Sequence, residues 1–224
     1  MDKPAILAGT VSVAYLQGLV EYLQRQGIAP EALLAHAQLG PEVLGQRDQR
    51  IAASAYLALL SEGVRLSGDP FLGLHLGESV RPGYYGVLGY LIMSCATLAD
   101  ALHRQARYAS LVGNLGLVVL DDEPARPDGE PLVAHSWQPL LAQQQRQLSE
   151  ETLAGWVSFG RWISGLDIAP TEVRFQHPAP ADTSEHERIF GCPVLFDQAD
   201  NALVFPKRLL GTPLGQADAQ LRQL

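Results

Sequence analysis

Eight aromatic or polar residues stand in stretches that are otherwise apolar, and their side chains suit the recognition of a small molecule. Ligand pockets are mostly apolar and carry a few polar groups that fix the orientation of the ligand. Tyrosine and tryptophan offer ring faces with one polar atom each, and arginine pairs with a carboxylate in a bidentate manner. We therefore expect a binding pocket with these candidate residues: Tyr84, Tyr85, Tyr90, His135, Trp137, Trp156, Arg161 and Trp162.

Each of these residues also fits an ordinary structural role. Gly83, Gly86 and Gly89 recur at a spacing of three around the tyrosines, which suits a helix that packs closely against a neighbour. Arg161 fits a surface position or a salt bridge as well as a contact with a carboxylate ligand. His135 fits a core histidine with satisfied hydrogen bonds. The sequence alone leaves both interpretations open.

The patterns that mark catalytic and metal sites are missing from the sequence. There is no Gly-x-Ser-x-Gly elbow, phosphate loop or Cys-x-x-Cys pair. The acidic pair Glu150-Glu151 lies near the expected start of a helix, where negative charge favours the helix dipole. None of the histidines has the spacing of a metal-ligand pair: His36, His75, His103, His135, His177 and His186. We therefore expect no metal, no cofactor and no enzymatic activity.

Composition restricts the partners and the compartment. The 224 residues carry a formal net charge of −8 and have no basic stripe, so we do not expect this chain to bind DNA by itself. Two cysteines, Cys95 and Cys192, are too few for a disulfide framework and fit a reducing compartment. The longest apolar run, from Val87 to Ala96, is far shorter than the ~20 residues that span a bilayer. The expected location is the cytoplasm, without a membrane contact.

Secondary-structure patterns place the candidate residues on a small number of elements. Up to about residue 112 the apolar periodicity predicts helices, with Ser12 and Thr97 as N-caps. Residues 115–120 and 132–137 then read as a hairpin of two strands, with His135 and Trp137 on one face. A long helix over residues 148–164 carries Trp156, Arg161 and Trp162 and ends at Gly165.

The stretch from Val173 to Pro206 predicts a compact unit of strand, helix, strand and strand. His177-Pro178-Ala179-Pro180 ends the first strand, and Asp182 with Glu185 has the spacing of a capping box for a short helix. Residues 194–196 and 202–205 then form two further strands. Four phenylalanines are its expected apolar anchors: Phe175, Phe190, Phe196 and Phe205.

Three motifs in this unit resemble the closing segment of a known sensor domain. They read Phe-x-His-Pro-x-Pro-x-Asp from Phe175, Phe-Gly-Cys-Pro-Val-x-Phe from Phe190 and Asn-Ala-Leu-Val-Phe-Pro from Asn201. Residues 86–91, 97–102 and 107–108 also resemble it. The family is the arabinose-binding-like N-terminal domain of AraC-type bacterial transcription regulators, and the resemblance extends over about residues 13–210.

The resemblance implies an effector-sensing domain that binds a small cytoplasmic metabolite, forms a homodimer and contacts DNA only through a C-terminal helix-turn-helix domain. Together with the patterns, it predicts an α+β fold with a helical subdomain over residues 1–112. An α+β subdomain with a small, mainly antiparallel sheet and covering helices follows over 113–210, and a linker toward the DNA-binding domain begins in 211–224. Two alternatives are an interaction or oligomerisation module without a ligand, and an enzyme of unknown class on a similar fold.

Overall fold

The computed structural model describes residues 9–124, 129–140 and 145–214, and it confirms the predicted α+β class. The first half of the chain supplies six α-helices: α1 (Val13–Arg25), α2 (Pro30–Leu34), α3 (Ala53–Ser67), α4 (Leu72–Glu78), α5 (Val87–Met93) and α6 (Leu98–Tyr108). Short 3-10 helices separate several of them, including Pro82–Tyr85 before α5. The predicted caps are present. Ser12 Oγ accepts from the backbone N–H of Tyr15 at 3.2 Å, and Thr97 Oγ1 accepts from that of Asp100 at 3.2 Å.

A small two-stranded sheet interrupts this helical half. Strands β1 (Thr10–Ser12) and β2 (Arg50–Ala52) pair in antiparallel fashion, with Val11 opposite Ile51. The expectation of helices alone up to residue 112 is therefore wrong at these two segments. The Arg50 side chain supports the pairing, because its guanidinium donates to Thr10 Oγ1 at 2.6 Å and to the backbone oxygen of Leu111 at 3.0 Å.

The second half contributes a five-stranded sheet and two helices. Its elements are β3 (Gly116–Asp122), β4 (Leu132–Pro139), α7 (Arg146–Ser164), β5 (Glu172–Arg174), α8 (Ser184–Phe190), β6 (Val194–Leu195) and β7 (Asn201–Pro206). The strand order is β3-β4-β7-β5-β6, and the β5–β6 pair is parallel while the other pairs are antiparallel. The predicted hairpin is confirmed as β3 and β4, with Val118 opposite Trp137. The predicted closing unit is confirmed as β5, α8, β6 and β7.

Helix α7 joins the two halves because it packs tightly against α4. A Cβ atom at Gly73 would lie 2.1 Å from the backbone oxygen of Gln147, and one at Gly77 would lie 2.5 Å from that of Glu151. Glycine at these positions is therefore what allows the two helix backbones to approach. Further along α7, Trp156 packs against the apolar core of the helical half and against that of the sheet half. Helix α7 ends, as predicted, at Gly165, which has a positive φ of 66°.

Within the described ranges, no helix is both long and apolar enough to cross a membrane. The expected linker over residues 211–224 lies mostly outside the described residues, since the description ends at Leu214. The proposed boundary at residue 112 stays a prediction.

Candidate ligand-binding site

An apolar cavity of about 140 Å³ lies between α6, α7 and the five-stranded sheet. Helix α6 contributes Leu98, Ala101, Leu102 and Gln105, and α7 contributes one side from Leu148 to Ile163. Strands β3, β4 and β7 close it with Val118, His135, Trp137, Leu203 and Phe205. Engineered apolar cavities of about 150 Å³ hold a benzene molecule, so this volume suits a small organic ligand.

Five of the eight candidate residues line this cavity: Tyr85, His135, Trp137, Trp156 and Arg161. Two of them form a stacked pair, because the rings of His135 and Trp156 lie 3.9 Å apart between centroids with an interplanar angle of 21°. His135 and Trp137 reach the cavity together because alternate residues of a strand share one face. Trp156 comes from α7 and contacts His135 directly.

The other three candidates lie outside the cavity wall. Tyr84 is buried against Gly18, and its hydroxyl donates to Glu21 Oε2 at 2.8 Å. Tyr90 on α5 is 58% exposed, and Trp162 on α7 is 48% exposed. The Trp162 ring stacks on the cavity-lining Phe159 at 5.9 Å, with its other face toward solvent.

His135 supplies a buried polar atom without a partner. The residue is 1% exposed, and its Nε2 has no hydrogen bond among the residues that the structure describes. Burial lowers the pKa of this imidazole to about 3, because the interior disfavours its charged form. At neutral pH the ring is therefore uncharged and presents one nitrogen as an acceptor and the other as a donor.

Arg161 uses its guanidinium to fasten neighbouring segments together. It donates to the backbone oxygens of Ile168 at 2.9 Å, Ile189 at 2.7 Å and Phe190 at 3.1 Å. The last two carbonyls belong to the final turn of α8, where a cation also complements the helix dipole. Asp167 lies 3.3 Å from Arg161 Nε. The arginine thus contributes its stem to the cavity while three of its N–H groups are occupied.

Comparison with known proteins identifies the family. The family described as "Arabinose-binding domain of AraC transcription regulator, N-term" matches residues 27–214. The chain belongs to this family. It is 30% identical over 220 residues to the "Ornithine utilization regulator" of Pseudomonas aeruginosa, an alignment that covers 97% of this chain and 63% of the relative. The chain therefore spans less than two thirds of that regulator.

A solved structure shares the fold of this AraC-type domain. It is the "transcriptional regulator CdpR from Pseudomonas aeruginosa", with a TM-score of 0.59 and 20% sequence identity. The match covers 94% of this chain and 60% of the CdpR chain. The family and both relatives are transcription regulators by description.

A cluster of tyrosines around a buried carboxyl lies behind one wall of the cavity in this AraC-type domain. Tyr56 donates its hydroxyl to Glu151 Oε1 at 2.6 Å, and burial raises the pKa of Glu151 to about 7. The ring of Tyr15 lies 5.3 Å from that of Tyr56 and 6.2 Å from that of Tyr85. Tyr15 and Tyr85 line the large cavity and also, with Glu151, a small second one of about 10 Å³.

Sequence reasoning missed Tyr15, Tyr56 and Glu151. Helix α7 begins at Arg146, earlier than predicted, so the pair Glu150-Glu151 lies in its second turn and faces inward. Glu150 Oε1 receives hydrogen bonds from Arg146 Nε at 2.8 Å and lies 2.6 Å from His186 Nε2. The signal in the sequence that could have identified Glu151 is a pair of carboxylates inside a helix that is otherwise poor in charge. In the described part of the chain, no group of three His, Cys, Asp or Glu residues has an arrangement that could hold a metal.

The last described residues of the AraC-type domain lie against the start of α6. Leu98 N–H donates to the backbone oxygen of Thr212 at 2.9 Å, and Leu214 N–H donates to that of Ala96 at 3.0 Å. The Leu214 side chain is 4% exposed and packs in the same apolar cluster as Ala101 of the cavity wall. One helix therefore contacts both the cavity and the segment that leads out of the described domain.

Proposed function

We propose that this AraC-type domain senses a small cytoplasmic metabolite, which binds in the apolar cavity between α6, α7 and β4. The apolar cavity is the observation that carries the proposal, because a domain that acted only through a flat surface would not need one. The proposed contacts are the five predicted residues that line it: Tyr85, His135, Trp137, Trp156 and Arg161. The proposal involves binding and no catalysis.

The bound effector acts, in this proposal, on a DNA-binding domain that follows the sensor. The family model describes an N-terminal domain, and the chain spans 63% of a related regulator; together these support a further C-terminal part. In this proposal the effect of the ligand passes through α6, which lines the cavity with Leu98 and Ala101. The Leu98 N–H donates to the backbone oxygen of Thr212, and Ala96, just before α6, accepts from the N–H of Leu214. An effector changes this arrangement only if it binds one state of α6 more tightly than another. DNA contact belongs to the helix-turn-helix domain, since the net charge of −8 does not favour it here.

We also propose that two copies of this chain form a homodimer. Val87 and Tyr90 are 74% and 58% exposed, and they stand three residues apart on α5. Residues at this spacing share one face of a helix, so together they form an apolar surface. Sedimentation velocity of the 224-residue chain tests this proposal, and a purely monomeric species would contradict it.

A thermal-denaturation screen with small metabolites tests the sensor proposal. We expect at least one compound to raise the Tm of the chain, because a ligand that binds only the native state stabilises it. The variant Gly160→Leu tests whether such a compound binds in the cavity. Gly160 lines the cavity, and a Cβ atom there would meet no atom within 4 Å, so leucine fits and occupies ligand space.

The ligand-dependent rise in Tm should disappear in Gly160→Leu and persist in Gly160→Ala, which adds one methyl group. If no compound raises the Tm of the unaltered chain, the sensor proposal is wrong, and the interaction module without a ligand becomes the better interpretation.

A further inference from the structure

The cavity wall contains very little charge, and this restricts the chemistry of its ligand. Of the described residues that line it, only Arg161 carries a formal charge, and none is an aspartate or a glutamate. A charged ligand group that leaves water needs a partner of opposite charge, because burying an unpaired ion is strongly unfavourable. The described wall offers no carboxylate to pair with an ammonium group.

The partner that the wall offers to a ligand carboxylate is already largely used. Three of the five N–H groups of Arg161 donate to the backbone oxygens of Ile168, Ile189 and Phe190, and Asp167 lies beside the guanidinium and offsets its charge. The hydroxyl of Thr152, another polar group in the wall, donates to the backbone oxygen of Leu148 at 2.7 Å. The contacts that the structure shows for these two groups are therefore within the protein, and they disfavour a charged ligand.

His135 Nε2 is a polar atom of the wall that has no hydrogen-bond partner among the described residues. It is buried and unpartnered, and it belongs to a side chain that lines the cavity. A buried polar atom without a hydrogen bond is unfavourable, so a ligand that supplies one gains affinity. A hydroxyl group suits either tautomer, since it both donates and accepts. The stacked Trp156 ring, 3.9 Å away, fixes the plane in which this hydrogen bond is made.

We propose that the effector is an uncharged, mostly hydrocarbon molecule of about the size of a substituted benzene ring, with one hydroxyl or similar neutral group that hydrogen-bonds to His135 Nε2. The size follows from the cavity volume of about 140 Å³. The inference rests on the proposed sensor function, and it names the chemical class of the effector and the residue that selects it.

A set of small probes tests this class directly on the 224-residue chain. The probes p-cresol and p-xylene have nearly the same shape and differ by a hydroxyl in place of a methyl group. The probe 4-methylbenzoate adds a negative charge to the same ring, and L-ornithine carries both signs of charge. Dissociation constants are measured by calorimetry or by ligand-observed NMR.

We expect p-cresol to bind about twofold to tenfold more tightly than p-xylene, which is the worth of one net hydrogen bond. We expect no binding of 4-methylbenzoate or L-ornithine at the same concentrations. In His135→Phe the stacked ring is kept and the nitrogen is lost, so the preference for p-cresol should vanish while p-xylene still binds. Gly160→Leu should weaken both neutral probes.

Three results would overturn the inference. Tighter binding of a charged probe, abolished by Gly160→Leu, would exclude the neutral class and leave the sensor proposal standing. Failure of both neutral probes to bind would exclude the class, while the metabolite screen decides the sensor function separately. An unchanged preference for p-cresol in His135→Phe would remove His135 from the site. If His135→Phe does not fold, the imidazole ¹⁵N shifts of His135 are measured in the unaltered chain instead. We expect them to respond to p-cresol more than to p-xylene. Equal responses would overturn the role of His135 in binding the hydroxyl group.

Discussion

Replacement of Glu151 by glutamine should remove a pH-dependent loss of stability from this domain. The Glu151 side chain is buried, and burial raises its pKa from 4.5 to about 7. The Tyr56 hydroxyl donates to one of its oxygens, while the other, Oε2, has no partner among the described residues. Glutamine keeps an acceptor for Tyr56 but cannot ionise, so Glu151→Gln isolates the effect of the charge.

The sign and size of the effect follow from linkage between proton binding and folding. The folded state holds the Glu151 proton more tightly than the unfolded state, so its contribution to stability is full below pH 4.5. It is lost as the pH rises from 4.5 to about 7 and stays constant above that. At about 1.4 kcal/mol for each pH unit, the loss amounts to about 3 kcal/mol.

Urea denaturation of both proteins between about pH 4.5 and pH 8.5 measures this difference. We expect Glu151→Gln to gain about 3 kcal/mol of unfolding free energy relative to the unaltered chain over this range. The control is Glu78→Gln, whose difference from the unaltered chain should stay nearly constant over this range. The hydrogen bonds from Arg188 lower the pKa of Glu78 from 4.5, so its stabilising effect is lost only as the pH falls below 4.5. A pH-independent difference for Glu151→Gln would refute the assignment of a raised pKa to this carboxyl.

Four further changes have defined outcomes. Arg161→Ala should lower the unfolding free energy by about 2–4 kcal/mol in urea, because three backbone oxygens lose a charged donor; a loss near zero would contradict its role as a clamp. Gly77→Ala should destabilise by about 2 kcal/mol or more through its clash with the backbone oxygen of Glu151. Gly160→Ala, with open space at its Cβ, should stabilise by about 1 kcal/mol; equal effects at the two glycines would contradict the close α4–α7 contact. Tyr90→Lys should shift sedimentation toward the monomer if α5 forms the dimer contact.

The parts of the fold that the sequence predicts well are those with local signals. The caps at Ser12 and Thr97, the stop at Gly165 and the hairpin of β3 and β4 each depend on residues close together in the chain. The sheet of β1 and β2 depends on a pairing between Val11 and Ile51, and strands of three residues are too short to show alternation. Only the packed structure reveals such a pairing.

The sequence singled out five of the residues that line the cavity, but it did not show which way each candidate side chain points. Tyr84 and Tyr85 are neighbours, but only Tyr85 lines the cavity, because successive residues of the 3-10 helix Pro82–Tyr85 point about 120° apart. Arg161 was singled out for its charge in a helix otherwise poor in charge. Its partners are carbonyls of Ile189 and Phe190, 28 and 29 residues further along, which no local pattern connects to it.

In the proposed mechanism, helix α6 links the cavity to residues 212–214, the last described residues of the domain. Two backbone hydrogen bonds, from Leu98 to Thr212 and from Leu214 to Ala96, hold residues 212–214 against its start. At about 0.5–1.5 kcal/mol each, they are worth about 1–3 kcal/mol together, which is also the usual range of an allosteric coupling energy. A ligand that pressed on Ala101 and preferred one position of α6 by tenfold to a hundredfold would therefore suffice to make or release these two hydrogen bonds, while the buried Leu214 side chain adds about 1.5–3 kcal/mol to the attachment. A much stronger attachment would not respond to a small ligand, and a much weaker one would not transmit its binding.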